Sequence, residues 1–137
     1  MFDHLGFNVR RFAKSSAFYV VALKPLGILR TNGGDDWISF GRNRRPQLFL
    51  QAGGATLPRL HVAFEAATRA QVSAFYRAAM KTGGTDNGNP GLRRNYHPNY
   101  YAAFVFDPDG HNIEAVCHAA SAGRGKKTAA TRKRARR

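Results

Sequence analysis

At 137 residues, 43% hydrophobic and with ten Phe and five Tyr, the chain can build a real core as one domain. No apolar run approaches the ~18–20 residues of a membrane span, and the opening MFDHLGFNVRR carries its charges in the wrong places for a signal peptide. The single cysteine, Cys117, excludes an internal disulfide and suits a reducing cytoplasm.

The formal charge of +14 is unevenly spread, because residues 121–137 carry eight Lys/Arg and no acid, leaving +6 on residues 1–120. That tail has nothing to bury and reads as a disordered basic arm. It is either a solubilising tail without a specific partner or a weak, nonspecific contact for a polyanion such as nucleic acid.

In chain order, the first element alternates, with Leu5, Phe7 and Val9 on one face and His4, Gly6 and Asn8 on the other. Period two predicts a strand. A helix follows over about Lys14–Leu23, with Phe18, Val21 and Ala22 as its apolar stripe, and KPLG ends it. Short strands come next at Ile28–Thr31, DWISFG and QLFLQ. QAGGATLPR is a Gly/Pro-containing linker, placed at about 52–59 between a first module of about 1–52 and a second of about 60–118.

The second module repeats the first. His4, Phe7, Ser16, Ala17, Phe18 and Tyr19 recur as His61, Phe64, Ser73, Ala74, Phe75 and Tyr76, all at an offset of 57, which Gly27 and Gly84 keep. Val62, Phe64 and Ala66 face one way and His61, Ala63 and Glu65 the other. A helix over about Arg69–Thr82 carries Val72, Phe75, Tyr76 and Ala79 and ends at KTGG. Strands at about Thr85–Asn87, YYAAFVF and NIEAVCH follow, with DPDG as the tight turn between the last two. Each module is βαβββ, and the fold class is α+β: two modules in tandem, forming a curved mixed sheet around a cleft. Cys117 is expected to be a buried small hydrophobe, and His111, after the turn, to be exposed.

A carboxylate in the last apolar strand, Glu114, is costly unless something pairs with it. Ile113 and Ala115 point away from it. A pseudo-twofold between the modules would bring His4 and His61 together with Glu114 nearby. Two imidazoles and a carboxylate make a facial metal site with open positions. Gly6 and Ala63, on the same face, leave room for a ligand.

The chain resembles the vicinal oxygen chelate superfamily, the glyoxalase/bleomycin-resistance/dioxygenase family. DHLGFNV with SSAFYVVALKPLG, LHVAF with VSAFY, and FVFDPDGHNIEAV carry the resemblance, over about residues 1–118. It implies paired βαβββ modules and a divalent ion (Fe2+, Mn2+, Zn2+ or Ni2+) on His4, His61 and Glu114. The family's fourth ligand position falls on Phe49, which cannot ligate, although Gln47 and Gln51 share its face. A His/His/Glu triad remains, as in extradiol dioxygenases and fosfomycin-resistance thiol transferases, which argues against a true glyoxalase I. The implied activity is a metal-dependent lyase, isomerase, thiol transferase or dioxygenase acting on a small vicinal-oxygen substrate. The alternative is a drug- or metabolite-sequestering protein without turnover. Small members of the family commonly form homodimers, some with a metal site shared across subunits.

Phe40 aligns with Phe104 at an offset of 64, so the second module has seven extra residues, in DNGNPGLRRNYHPNYY. This loop is either a wall of the cleft or an ordered surface loop pinned by its aromatics. As a wall, it offers Arg93, Arg94 and Tyr96 to an anionic substrate group, with His97, Tyr100 or Tyr101 as acid/base or hydrogen-bond donor. Glu65, on the face of His61, is a general-base candidate, and Trp37 either lines the cleft mouth or packs. His118 has no assigned role.

Overall fold

The computed structural model describes residues 1–121. The basic tail, Ser121 apart, lies outside the described residues. The first module runs β1 (Leu5–Val9), α1 (Phe12–Ala22), a 3-10 turn (Lys24–Leu26), β2 (Leu29–Gly33), β3 (Trp37–Gly41) and β4 (Leu48–Ala52). The second runs β5 (His61–Glu65), α2 (Arg69–Lys81), β6 (Thr85–Leu92), β7 (Tyr101–Phe106) and β8 (Asn112–Cys117). Each module forms its own four-stranded mixed sheet, ordered β1-β4-β3-β2 and β5-β8-β7-β6. The first strand lies parallel to the last in both sheets, and the other pairs are antiparallel.

Local chemistry explains the element ends. Thr68 caps α2: its hydroxyl accepts the Gln71 N–H at 3.1 Å, and the Gln71 side chain accepts the Thr68 N–H at 3.2 Å. This reciprocal box satisfies donors that a helix N-terminus otherwise leaves open. Gly27 closes the 3-10 turn at φ 72°, a left-handed conformation that glycine adopts without a Cβ penalty. β6 runs further than Thr85–Asn87, through Pro90, because it is the outer strand of its sheet and two register breaks absorb the irregularity.

One core serves both modules, with Phe18, Tyr19, Phe40, Leu50, Phe75 and Ile113 at its centre. On α1 the buried face is Ser15, Phe18, Tyr19 and Ala22, an i, i+3, i+4, i+7 set. Val21, expected in the stripe, is 40% exposed, and Tyr19 takes the inward place. Val72, Phe75 and Ala79 are buried on α2 as expected, with Tyr76 packed beside them. Cys117 is fully buried.

The modules join through their helices, α1 and the 3-10 turn packing on α2. The DPDG turn is part of that joint. Asp107, buried, accepts the Tyr19 hydroxyl at 2.6 Å, and Asp109 accepts the Arg10 N–H at 2.8 Å. His111 is therefore wholly buried instead of exposed: its ring stands edge-on to Phe7 at 5.2 Å, and its Nδ1 accepts the Leu60 N–H at 2.9 Å.

The registers also correct the size of the insertion. Ser39 lies opposite Phe49 and Phe104 opposite Glu114. Phe104 therefore matches Ser39 instead of Phe40, and an offset of 65 against 57 makes the insertion eight residues, not seven. Phe40 faces the core, fully buried.

Candidate functional site

Pairing in the second sheet places His61, Ala63 and Glu65 beside Asn112, Glu114 and Val116, and Phe104 and Phe106 beside Glu114 and Asn112. Residues directly opposite share a face. The face away from the helices thus gathers His61, Glu114 and Phe104.

Glu114 is 1% exposed. Its Oε2 meets His61 Nε2 at 2.8 Å, and its Oε1 accepts the Tyr100 hydroxyl. Those two donors compensate the burial of a carboxylate among apolar strands. His61 itself is open, its side chain 53% exposed, with its ring 6.2 Å from that of Phe104. Burial first, and the Glu114 hydrogen bond and charge second, push the Tyr100 phenol up to about 12, so Tyr100 is the proton donor of this pair at neutral pH.

Tyr100 arrives from the inserted segment, which folds back on itself. The Arg93 N–H donates to Tyr100 O at 2.7 Å, and the Tyr96 N–H donates to Arg93 O at 3.0 Å. Tyr96 stands edge-on to Tyr100 at 5.1 Å, and His118 does so at 5.2 Å. His97 is exposed, edge-on to His118 at 6.0 Å, and its Nδ1 accepts the Asn99 N–H at 3.1 Å. The guanidinium of Arg93 lies 5.5 Å from the centre of the Phe104 ring, on the face that carries His61 and Glu114. Arg94 is exposed.

Other expected residues stand apart from this constellation. Tyr101 is on the helix side of β7, under the Arg69 guanidinium at 5.3 Å and within 3.4 Å of Ser73 Oγ, because consecutive strand residues face opposite ways. Trp37 is opposite Gln51 on the open face of the first sheet, half-buried and packed over Gly34. Glu65 is exposed at the end of β5.

The expected meeting of His4 with His61 and Glu114 does not occur within one chain. Among the described residues no three His, Cys, Asp or Glu side chains are grouped to hold a metal. The cause is the joint between modules: the helices pack together, and the two sheets do not join along β1 and β5. His4 and His61 both line a cleft of about 510 Å³ beside these two strands, with Asp3, Gln47 and Glu65. The His4 ring stands edge-on to Phe49 at 5.5 Å, and its Nδ1 meets Asp3 Oδ2 at 2.8 Å. Hydrogen bonds from His4 and then Arg45 hold the Asp3 carboxyl below its ordinary range. A carboxylate on Nδ1 orients the imidazole and leaves its Nε2 as the nitrogen free to accept. Sequence reading missed the contact of Asp3 with His4; its place directly before His4 was the available signal.

Imidazole and carboxylate are donor types that hold a divalent ion, and among the described residues His61 and Glu114 are the two that come together. Cis ligands with bonds of about 2.1 Å stand roughly 3 Å apart, close to the 2.8 Å between His61 Nε2 and Glu114 Oε2.

A family model for the Glyoxalase/Bleomycin resistance protein/Dioxygenase superfamily matches residues 1–115. Among solved structures, the chain is similar to a glyoxalase/bleomycin resistance protein from Albidiferax ferrireducens T118, at 26% identity and a TM-score of 0.71, covering 85% of this chain and 98% of that one. A glyoxalase/bleomycin resistance protein/dioxygenase family enzyme from Burkholderia phytofirmans PsJN, at 14% identity, shares the fold with a TM-score of 0.65 over 85% of this chain and 98% of that one. A glyoxalase-related enzyme from Fulvimarina pelagi, at 17% identity, does so at 0.64 over 82% and 84%. A search of the curated proteins found no match.

Proposed function

The chain belongs to the Glyoxalase/Bleomycin resistance protein/Dioxygenase superfamily, and from that premise we propose that it is a metal-dependent enzyme acting on a small vicinal-oxygen substrate. The observation that carries the reading is the buried Glu114 paired with His61 on an open sheet face. These two residues and His4 would hold a divalent ion (Fe2+, Mn2+, Zn2+ or Ni2+). Because His4 stands apart from the pair within one chain, the third ligand would come from a second copy. β1 of one protomer would lie beside β5 of its partner in a homodimer. When bound, the ion supplies Lewis-acid stabilisation of negative charge on substrate oxygen, and with iron also a site for O2.

The chain's own residues do the rest. Asp3 holds the His4 proton on Nδ1. Tyr100 keeps its proton at neutral pH, so with Glu114 engaged by an ion the Tyr100 hydroxyl would be free to donate to a substrate oxygen. Glu65, exposed in the cleft, would serve as general base, with His97, exposed beside His118, as the other candidate. Lyase, isomerase, thiol-transferase and dioxygenase chemistry all start from such a site.

Elemental analysis of the native protein and of His61→Ala tests the reading. The expected result is about one divalent ion per chain, lost in the variant. Mixing His4→Ala with His61→Ala chains should restore part of the metal if the site is shared, because one of the two sites of the mixed dimer is then intact. No uptake of Mn, Fe, Co, Ni or Zn by the native chain would end the enzyme reading. The cleft would then be read as that of a sequestering, non-catalytic binder, a reading supported by the grouping of only two donors, His61 and Glu114, among the described residues of one chain.

A further inference from the structure

We propose that Arg93 selects substrates bearing a carboxylate or comparable anionic group, which it holds on the open face beside His61 and Glu114; this deepens, and rests on, the vicinal-oxygen reading above. The sequence left Arg93 and Arg94 equal, and the structure separates them. Arg94 is exposed, whereas Arg93 is half-buried and lies across the sheet. Its guanidinium covers the Phe104 ring at 5.5 Å. Beneath it β6 has glycine twice. A Cβ at Gly88 would meet Arg93 Nη2 at 3.2 Å, and one at Gly91 would meet Nη1 at 3.1 Å. The two glycines thus form a floor that any larger residue would raise against the guanidinium. Nη2 donates to Asn89 O at 2.7 Å, which fixes the plane of the group.

The charge so positioned is unanswered. Arg93 makes no ion pair with an acidic side chain among the described residues. The one buried carboxylate on this face, Glu114, is held by His61 and Tyr100. Of five guanidinium N–H donors, one is used among the described residues. A planar fork with free donors, stacked on an aromatic ring and pre-oriented, matches a carboxylate two bonds at a time. Phe104 stands between the two groups: its ring centre is 5.5 Å from the Arg93 guanidinium carbon and 6.2 Å from the His61 ring centre. The two anchors are therefore at most about 12 Å apart, a span that a one-ring acid covers with its carboxylate at one end and its vicinal oxygens at the other.

The test uses paired probes on the full chain, by titration calorimetry. Without added metal, benzoate is compared with its neutral isostere benzamide. With Mn2+ added, 3,4-dihydroxybenzoate is compared with catechol. The native protein should favour the anion about ten-fold or more in each pair. Arg93→Gln should abolish the preference while Arg94→Gln keeps it. Should Arg93→Gln fail to fold, Arg93→Lys serves, with the preference cut several-fold because an ammonium cannot fork. No preference in the native protein, or one untouched in the Arg93 variant, overturns the proposal. The two readings fail separately. Benzoate selection without Mn2+ uptake removes the metal and leaves Arg93, whereas Mn2+ uptake without carboxylate preference removes Arg93 and leaves the metal.

Discussion

Tyr19→Phe deletes one oxygen and leaves the ring in place. That oxygen donates to Asp107 Oδ2 at 2.6 Å, where Tyr19 is fully buried and Asp107 is 4% exposed. The other oxygen, Oδ1, keeps the N–H groups of Asp109 at 2.9 Å and His111 at 2.8 Å. The variant therefore leaves half of a buried carboxylate without its protein donor. A hydrogen bond to a charged group contributes about 1.5–3 kcal/mol, so the loss should be about 2 kcal/mol. With a urea slope of about 1.5 kcal/mol/M, the midpoint should fall by about 1 M at unchanged slope. The assay is urea unfolding followed by circular dichroism. A cycle with Asp107→Asn adds a check: on that background Tyr19→Phe should cost under ~1 kcal/mol, because the charge is already gone and only a neutral bond between the amide and the phenol remains to lose. A loss below ~0.5 kcal/mol for Tyr19→Phe alone would refute the view that this buried bond ties the modules together.

Burial and the Asp107 carboxylate also push the Tyr19 phenol well above 10, as burial and Glu114 push Tyr100 to about 12. Both folded values exceed those of the unfolded chain, so this stability is fully present below pH ~10 and lost as pH climbs through 10 toward 12. An ultraviolet titration of the folded protein should show a late step that Tyr100→Phe diminishes; ionisation of all tyrosines in one step near 10 would contradict it. The turn between β3 and β4 holds Asn43 at φ 52° and Arg44 at φ 61°, with the Arg45 N–H bonded to Arg42 O at 3.0 Å. Hairpin turns of this hand favour glycine at the second position, so Arg44→Gly should raise stability by about 1 kcal/mol in the same urea assay, and a loss would count against the argument.

Much of the fold was legible in the residues because side-chain period is local. Alternation in Leu5–Val9 and His61–Glu65, and the apolar spacing of Val72, Phe75 and Ala79, need only the neighbouring residues to be read. The same logic put His61 and Glu114 on one sheet face, and the strand register makes them neighbours. The 57-residue repeat announced two modules, but a repeat does not state how its copies dock. Helix packing between α1 and α2 decided that, and it left β1 and β5 apart and His4 away from the pair. Only that docking turned Val21 outward, drew Tyr19 to Asp107 and buried His111. The inserted segment was visible as an interruption of the repeat, yet its consequences were not, because loop conformation depends on distant partners. It brings Tyr100 onto Glu114, sends Tyr101 to the helix side one residue later, and lays Arg93 on Phe104. In the strands, sequence alone thus determined which residues share a face. Tertiary structure decided which faces meet, since that depends on contacts between residues far apart in the chain, which no local pattern records.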